Sequence, residues 1–230
     1  MQHERFEQPS WGVPSSHTPV IIPAAFTRQR SAKDKYLRSW KLVKRARFNA
    51  AKRLERKQHA SIMTLAVVAF YTGSASLFTL TFRDVLPEQT RTICEFVSQF
   101  FGFFTLIIGL IEQQKDYPSR ARELHECARK INALQKHLEA THIAHPEQLL
   151  PFLDRYDRFI AECRHNHDDI DYDLAKAIAP IDVESGRDDR QPLWLARGAY
   201  HLSTYWFYAS IWVAPPIVAF TLWLLLPPLN

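Results

Sequence analysis

Glycine is scarce in this chain, with six in 230 residues, and there are only three cysteines. So little glycine leaves little material for a loop that cradles phosphates, and no phosphate-binding glycine loop occurs. Neither a Gly-x-Ser-x-Gly elbow nor a His-Glu-x-x-His pair occurs. The sequence therefore points away from enzymes, and no catalytic residue and no cofactor are assigned. The cysteines, Cys94, Cys127 and Cys163, are odd in number and widely spread, so no disulfide framework is implied. Residues 1–30 lack the long apolar run of a signal peptide and contain Pro9, Pro14, Pro19 and Pro23. They read as a disordered arm.

Charge is also missing, but only in blocks. Mean hydropathy is −0.24, a value typical of soluble chains. The average hides Ser61–Phe82, 22 residues without one charge, and a second block from Phe96 to Ile111 that extends back to Thr92 if Glu95 sits at the interface. A third, Ala199–Leu226, has His201 as its only basic or acidic residue. A bilayer core about 30 Å thick needs roughly 20 helical residues. The blocks are read as membrane spans over 61–82, 92–111 and 199–226. The third is rich in tryptophan and tyrosine and is interrupted by Pro215-Pro216, so part of it can also lie at the interface. The fold class expected is all-α: a transmembrane hairpin, a long helical bundle and a third, C-terminal span.

Residues 28–57 hold thirteen Lys or Arg against two acids, Asp34 and Glu55. Basic residues beside a first span are kept in the cytoplasm. This places the N-terminus and the helices after the hairpin inside, the short loop 83–91 outside and the C-terminus outside, in the cell's inner (cytoplasmic) membrane.

Ser31-Ala32-Lys33-Asp34 has the pattern of a capping box, and no proline or glycine follows before Gly73. One helix is expected to run from Ser31 through the first span, its basic part covering 31–60, with Tyr36, Trp40, Val43, Ala50 and Leu54 as an apolar stripe. Leu124, Cys127, Ile131, Leu134 and Leu138 alternate spacings of three and four. After Pro146 so do Leu149, Leu153, Tyr156, Ile160, Cys163, His167, Ile170, Leu174 and Ala177. This is the seam of a coiled coil. Two antiparallel helices are expected over 117–142 and 147–179, the stretch from Leu149 to Ala177 being about 40 Å long. A linker over 181–198 follows. Asp168, Asp169, Asp171 and Asp173 should then approach the basic turns of Lys52, Arg53, Arg56 and Lys57, unless both are solvated faces that never meet.

Three features carry candidate function, each beside a plainer reading. Cys127, Cys163 and His167 converge in such a hairpin as potential zinc ligands without an evident fourth, but all belong to the apolar seam, where core packing is the commoner role. Ser98, Gly102, Thr105 and Gly109 form a small, polar stripe on the second span, with Thr72 and Ser76 on the first. Close helix packing is preferred over a pore lining, and a pore would need several copies of the chain. The basic face of Lys41, Lys44, Arg45, Lys52, Arg53, Arg56 and Lys57 suits anionic lipid at roughly 1 kcal/mol per residue, or nucleic acid, given the interleaved Tyr36, Trp40 and Phe48.

The order of features is similar to a known family. A basic helix enters a tight two-span hairpin, followed by Tyr117-Pro118-Ser119-Arg120-Ala121…His125-Glu126-Cys127 and Tyr156…Asn166-His167…Asp171-Tyr172. Over residues 30–180 this resembles the SLATT domains, two-span effectors of bacterial conflict systems. The resemblance implies an oligomeric, pore-forming or membrane-disrupting effector of antiphage defence that arrests or kills the cell. It also implies a partner that is a nucleotide-producing enzyme or, in a subgroup with a C-terminal extension, a reverse transcriptase. Tyr156, Asn166, His167, Asp171 and Tyr172 would then set bundle geometry. The chain departs from the family in having His165 where an acid is common. The competing class is a membrane anchor that recruits such a partner without forming a pore.

Overall fold

The computed structural model describes residues 24–179 and 191–225. Helices joined by short irregular segments make up these residues, with no strand among them. α1 spans Ala24–Thr81, α2 Glu88–Gln114, α3 Tyr117–Ala140, α4 Leu150–Glu162, α5 Asp169–Ile178 and α6 Leu193–Leu225. A 3-10 turn, Pro146–Leu149, links α3 to α4.

α1 has 58 residues, about 87 Å at 1.5 Å per residue. It is one uninterrupted rod through the basic segment and the first apolar block. It begins at Ala24 and not at Ser31, because no helix breaker lies between Pro23 and the capping-box residues. The rest of the expected arm, 1–23, lies outside the described residues. α1 and α2 form the expected hairpin and are long and apolar enough to cross a membrane. The large side chains Phe70, Leu77, Phe96, Phe100, Phe103 and Leu106 all point outward. A bilayer is the solvent that makes such a surface stable.

The bundle packs on the other half of α1. Leu124, Cys127, Ile131, Leu134 and Leu138 are all buried, as their spacing required. Their main partner is α1 through Leu37, Trp40, Ala50 and Leu54, with α4 covering the flank. Trp40 is almost fully buried and stacks on Tyr156, ring centroids 4.7 Å apart and planes 8° from parallel. Tyr36, assigned to the stripe on spacing, is exposed, and Leu37 takes the inward position instead.

The helix expected over 147–179 is not continuous. It stops at Glu162, residues 163–168 are irregular, and α5 restarts at Asp169. Asp168 is the reason for the restart: its carboxylate accepts from the third helical amide while Asp171 accepts from the Asp168 amide. This reciprocal capping box favours a new N-terminus over helix propagation. The break turns α5 back against α1 and α6. There Leu174 packs with Ala196 and Tyr200. α6 begins at Leu193, directly after Pro192, so the expected linker is shorter than 181–198. Residues 180–190 and 226–230 lie outside the described residues. Pro215 and Pro216 stand inside the helix without ending it.

Candidate functional site

The charges drawn together at the junction of bundle and hairpin form the site. α1 presents Arg53 on its buried side, one turn above Asn49. Arg53 donates from Nε to Asp171 Oδ1 at 3.0 Å and from Nη2 to Asp171 Oδ2 at 2.8 Å. A further bond from Nη2 reaches Asp168. Asp171 is wholly buried and the Arg53 side chain 5% exposed. Burial works against the charged guanidinium, but the bonds to Asp171 and then Asp168 outweigh it and raise the Arg53 pKa above its ordinary value. The meeting of acidic and basic turns expected from sequence thus occurs, through Arg53 with Asp168 and Asp171. It is a buried, bidentate pair and not a solvated surface contact.

Around this pair the bundle is tied to α6. Asn49 Nδ2 donates to the Asp171 carbonyl at 3.3 Å, and Tyr200 donates its hydroxyl to the Asn49 carbonyl at 3.0 Å. Arg56 lies over the Tyr200 ring at 5.9 Å. Lys57, deep beside Arg53, has its pKa lowered by burial first and the Arg53 charge second.

A second polar cluster sits at the foot of the hairpin, where α2 turns into α3. Asp116 makes the corner with φ 42° and ψ 49°, a left-handed conformation that asparagine and aspartate tolerate better than most residues. Glu112 is buried, bonded to Lys115, and accepts the Tyr208 hydroxyl at 2.7 Å. Trp212 Nε1 donates to Thr64 Oγ1 at 2.8 Å. Tyr200, Thr204, Tyr208 and Trp212, four apart on α6, thereby lay one edge of that helix along α1 and α2. Sequence reasoning missed Glu112 and this edge. The available signal was an acid placed one residue past an uncharged block, opposite aromatic residues at helical spacing.

The small-residue stripe faces inward. A Cβ at Gly102 would stand 4.0 Å from Thr72 Cγ2, and one at Gly109 3.8 Å from Leu65 Cδ2. Thr72, Ser76 and Thr105 hydroxyls donate to carbonyls one turn earlier in their own helices. Ser98 is buried with its hydroxyl unpartnered, on a cavity of about 390 Å³ that also touches Ser76, Thr79 and Glu95. Within one chain, Gly102 and Gly109 thus lie against α1, while Ser76 stays exposed.

The remaining candidates separate. Of the basic face, Arg53 is buried and so does not face lipid or nucleic acid. Lys44 donates to Asn132 and Gln135, both at 2.9 Å, and Lys41 pairs with Glu139 at 3.3 Å. Arg45, Lys52 and Arg56 are exposed. Cys127 and Cys163 do meet across α3 and α4, lining one cleft. His167 lies in the break, so its helical spacing from Cys163 does not apply. No group of three metal-ligating side chains occurs among the described residues. His167 stacks on Tyr172 at 5.8 Å, and its pKa is lowered by burial first and Arg47 second. Asn166 Oδ1 accepts from the His167 amide at 3.0 Å. His165 faces Glu123 at 3.6 Å and so meets an ionisable partner.

Comparison with curated proteins and with solved structures gave no match. Comparison with family models matched residues 29–222 to the SMODS and SLOG-associating 2TM effector domain family 5. The match runs beyond residue 180 through most of α6, so that helix belongs to the shared unit and is no appendage to it. With most of its length matched and two helices able to cross a bilayer, the chain belongs to this SLATT family and is a membrane effector of conflict systems.

Proposed function

We propose that the chain acts as a homo-oligomer in the bacterial inner membrane, with its N-terminus in the cytoplasm. A cytoplasmic signal shifts the bundle, and the hairpins of several copies rearrange into a leak that arrests or kills an infected cell. The reading rests on one observation, the continuity of α1. The same rigid helix carries Arg53 in the bundle and the first membrane span, so movement of α5 against Arg53 is passed to the hairpin without a hinge. Two spans cannot enclose a channel, so the exposed aromatic face of α2 is the surface that meets neighbouring copies. The signal comes from a partner, either a nucleotide-producing enzyme or a reverse transcriptase. No catalytic role is assigned to the chain itself.

Dye leakage from liposomes loaded with purified protein tests this. Leakage that increases when the Arg53 contact is cut supports it, and a strict monomer in detergent overturns it. Labelling of Cys94, and not of Cys127, by a membrane-impermeant maleimide on intact cells tests the orientation.

A specific observation favours a second reading. The Thr72, Ser76 and Thr105 hydroxyls bond within their own helices and Gly102 and Gly109 face α1, so most of the stripe is engaged inside a single hairpin. On this reading the hairpin anchors a bundle that recruits its partner. Intact liposomes together with partner capture by the bundle would establish it.

A further inference from the structure

Cys127 and Cys163 remain unused by any of the roles above. They come from α3 and from the residue at which α4 ends, and both border one cleft of about 200 Å³, together with Phe159, Lys130, Glu162 and Arg164. Both thiols pack against the same hydrophobic cluster. Their polar surroundings differ. Cys127 is buried; it accepts from Arg47 Nη1 at 2.9 Å and points its own proton toward the Phe159 carbonyl at 3.7 Å. Cys163 is half-buried and donates to the His165 carbonyl at 3.1 Å, inside the irregular segment.

We infer that Cys127 and Cys163 form a peroxide-responsive thiol pair, closed by a hydroperoxide into an intramolecular disulfide that ties the end of α4 to α3. The accessible Cys163 sulfur attacks a peroxide oxygen. The O–O bond breaks, water leaves and Cys163 becomes a sulfenic acid. The Cys127 sulfur then attacks the Cys163 sulfur, forming the S–S bond as the S–O bond breaks. The departing hydroxide takes the Cys127 proton and leaves as a second water. Two thiols are oxidised by two electrons and one hydrogen peroxide is reduced to two waters.

The division of labour follows from the environment. Burial pushes the Cys127 thiol up to about 11, so it is a poor first nucleophile in bulk solution. It shares one cleft with Cys163, and the Arg47 guanidinium stabilises its sulfur as the proton leaves. The bond would close on the segment that leads into Asp168, and so restrain the arm carrying the contact to Arg53. The thiol chemistry is independent of whether the hairpin leaks.

Full-length protein in detergent, treated with hydrogen peroxide, quenched with N-ethylmaleimide and digested, decides the matter by mass spectrometry. A linked Cys127–Cys163 peptide pair is expected, present in C94S, absent in C163S and reversed by dithiothreitol. In C127S, Cys163 is expected to stop as a sulfenic acid that dimedone captures. Should either variant fold poorly, the peptide map of the unaltered chain suffices. Both cysteines still open to maleimide after peroxide, or disulfides found only through Cys94 or between chains, would overturn the assignment.

Discussion

Arg53 and Asp171 stand 118 residues apart in sequence and are joined by two parallel hydrogen bonds, of 3.0 and 2.8 Å, in a place almost closed to water. The arginine belongs to the helix that enters the membrane. The aspartate belongs to a short helix created by a break six residues long. Their pairing couples the two halves of the molecule.

Removing one partner should cost about 3–5 kcal/mol, because a buried charge is left without its counter-ion. Asp171→Ala and Arg53→Ala are both expected to show this as a lower thermal midpoint in detergent. Replacing both with apolar residues of similar volume should recover much of the loss. A double replacement as unstable as either single one would show that the pair is not the unit.

His167 gives the pH dependence. Its folded pKa lies below the ordinary value of 6.5, so the unfolded chain takes up the proton more readily than the folded one. The histidine therefore contributes stability that is fully present above 6.5. That contribution falls as pH drops below 6.5 toward the lower, folded value. Thermal midpoints at pH 7.5 and 5.5 should drop more in the parent chain than in His167→Gln. An equal drop in both would assign the effect to other groups.

At the foot of the hairpin, Tyr208→Phe removes a 2.7 Å bond to Glu112 while keeping the ring. Lys115 still holds the carboxylate, so the expected loss is about 1.5–3 kcal/mol, the range for hydrogen bonds to charged groups. Thermal unfolding of the single variant and of Tyr208→Phe with Glu112→Gln measures it. The double variant should lose little more than the single one.

Gly102 and Gly109 separate packing from bulk. A Cβ at either position meets its neighbour at ordinary van der Waals distance, so Gly102→Ala should be tolerated, with helix propensity favouring it by up to about 1 kcal/mol. Leucine adds three further carbons toward α1 and should separate the two spans. Liposome leakage retained in Gly102→Ala and lost in the Gly102→Leu, Gly109→Leu pair is the expected pattern. Cross-linking of cysteines placed on α1 and α2 reports whether the hairpin itself has opened.

Much of the bundle was legible in local pattern. The run from Leu124 to Leu138 became its core because a period of three and four residues puts side chains on one helical face whatever lies opposite. The partner was not legible: α3 packs first on α1, since Trp40 and Ala50 offer a deeper surface than the half-buried residues of α4. The misplacement of Tyr36 has a similar origin. Neighbouring apolar residues at 36 and 37 satisfy nearly the same period, and only contact with the bundle selects Leu37.

Length and the absence of charge sufficed to define the hairpin, because a bilayer sets the required number of apolar residues before any contact forms. The lengths of α1 and α2 and the buried seam of α3 follow from such local rules. The end of α4 at Glu162, the burial of Arg53 and the engagement of Glu112 by Tyr208 do not. A carboxylate at Asp168 can either continue a helix or cap a new one. The choice depends on the energy of bringing it, with Asp171, to an arginine more than a hundred residues away, and that energy exists only once the chain has folded.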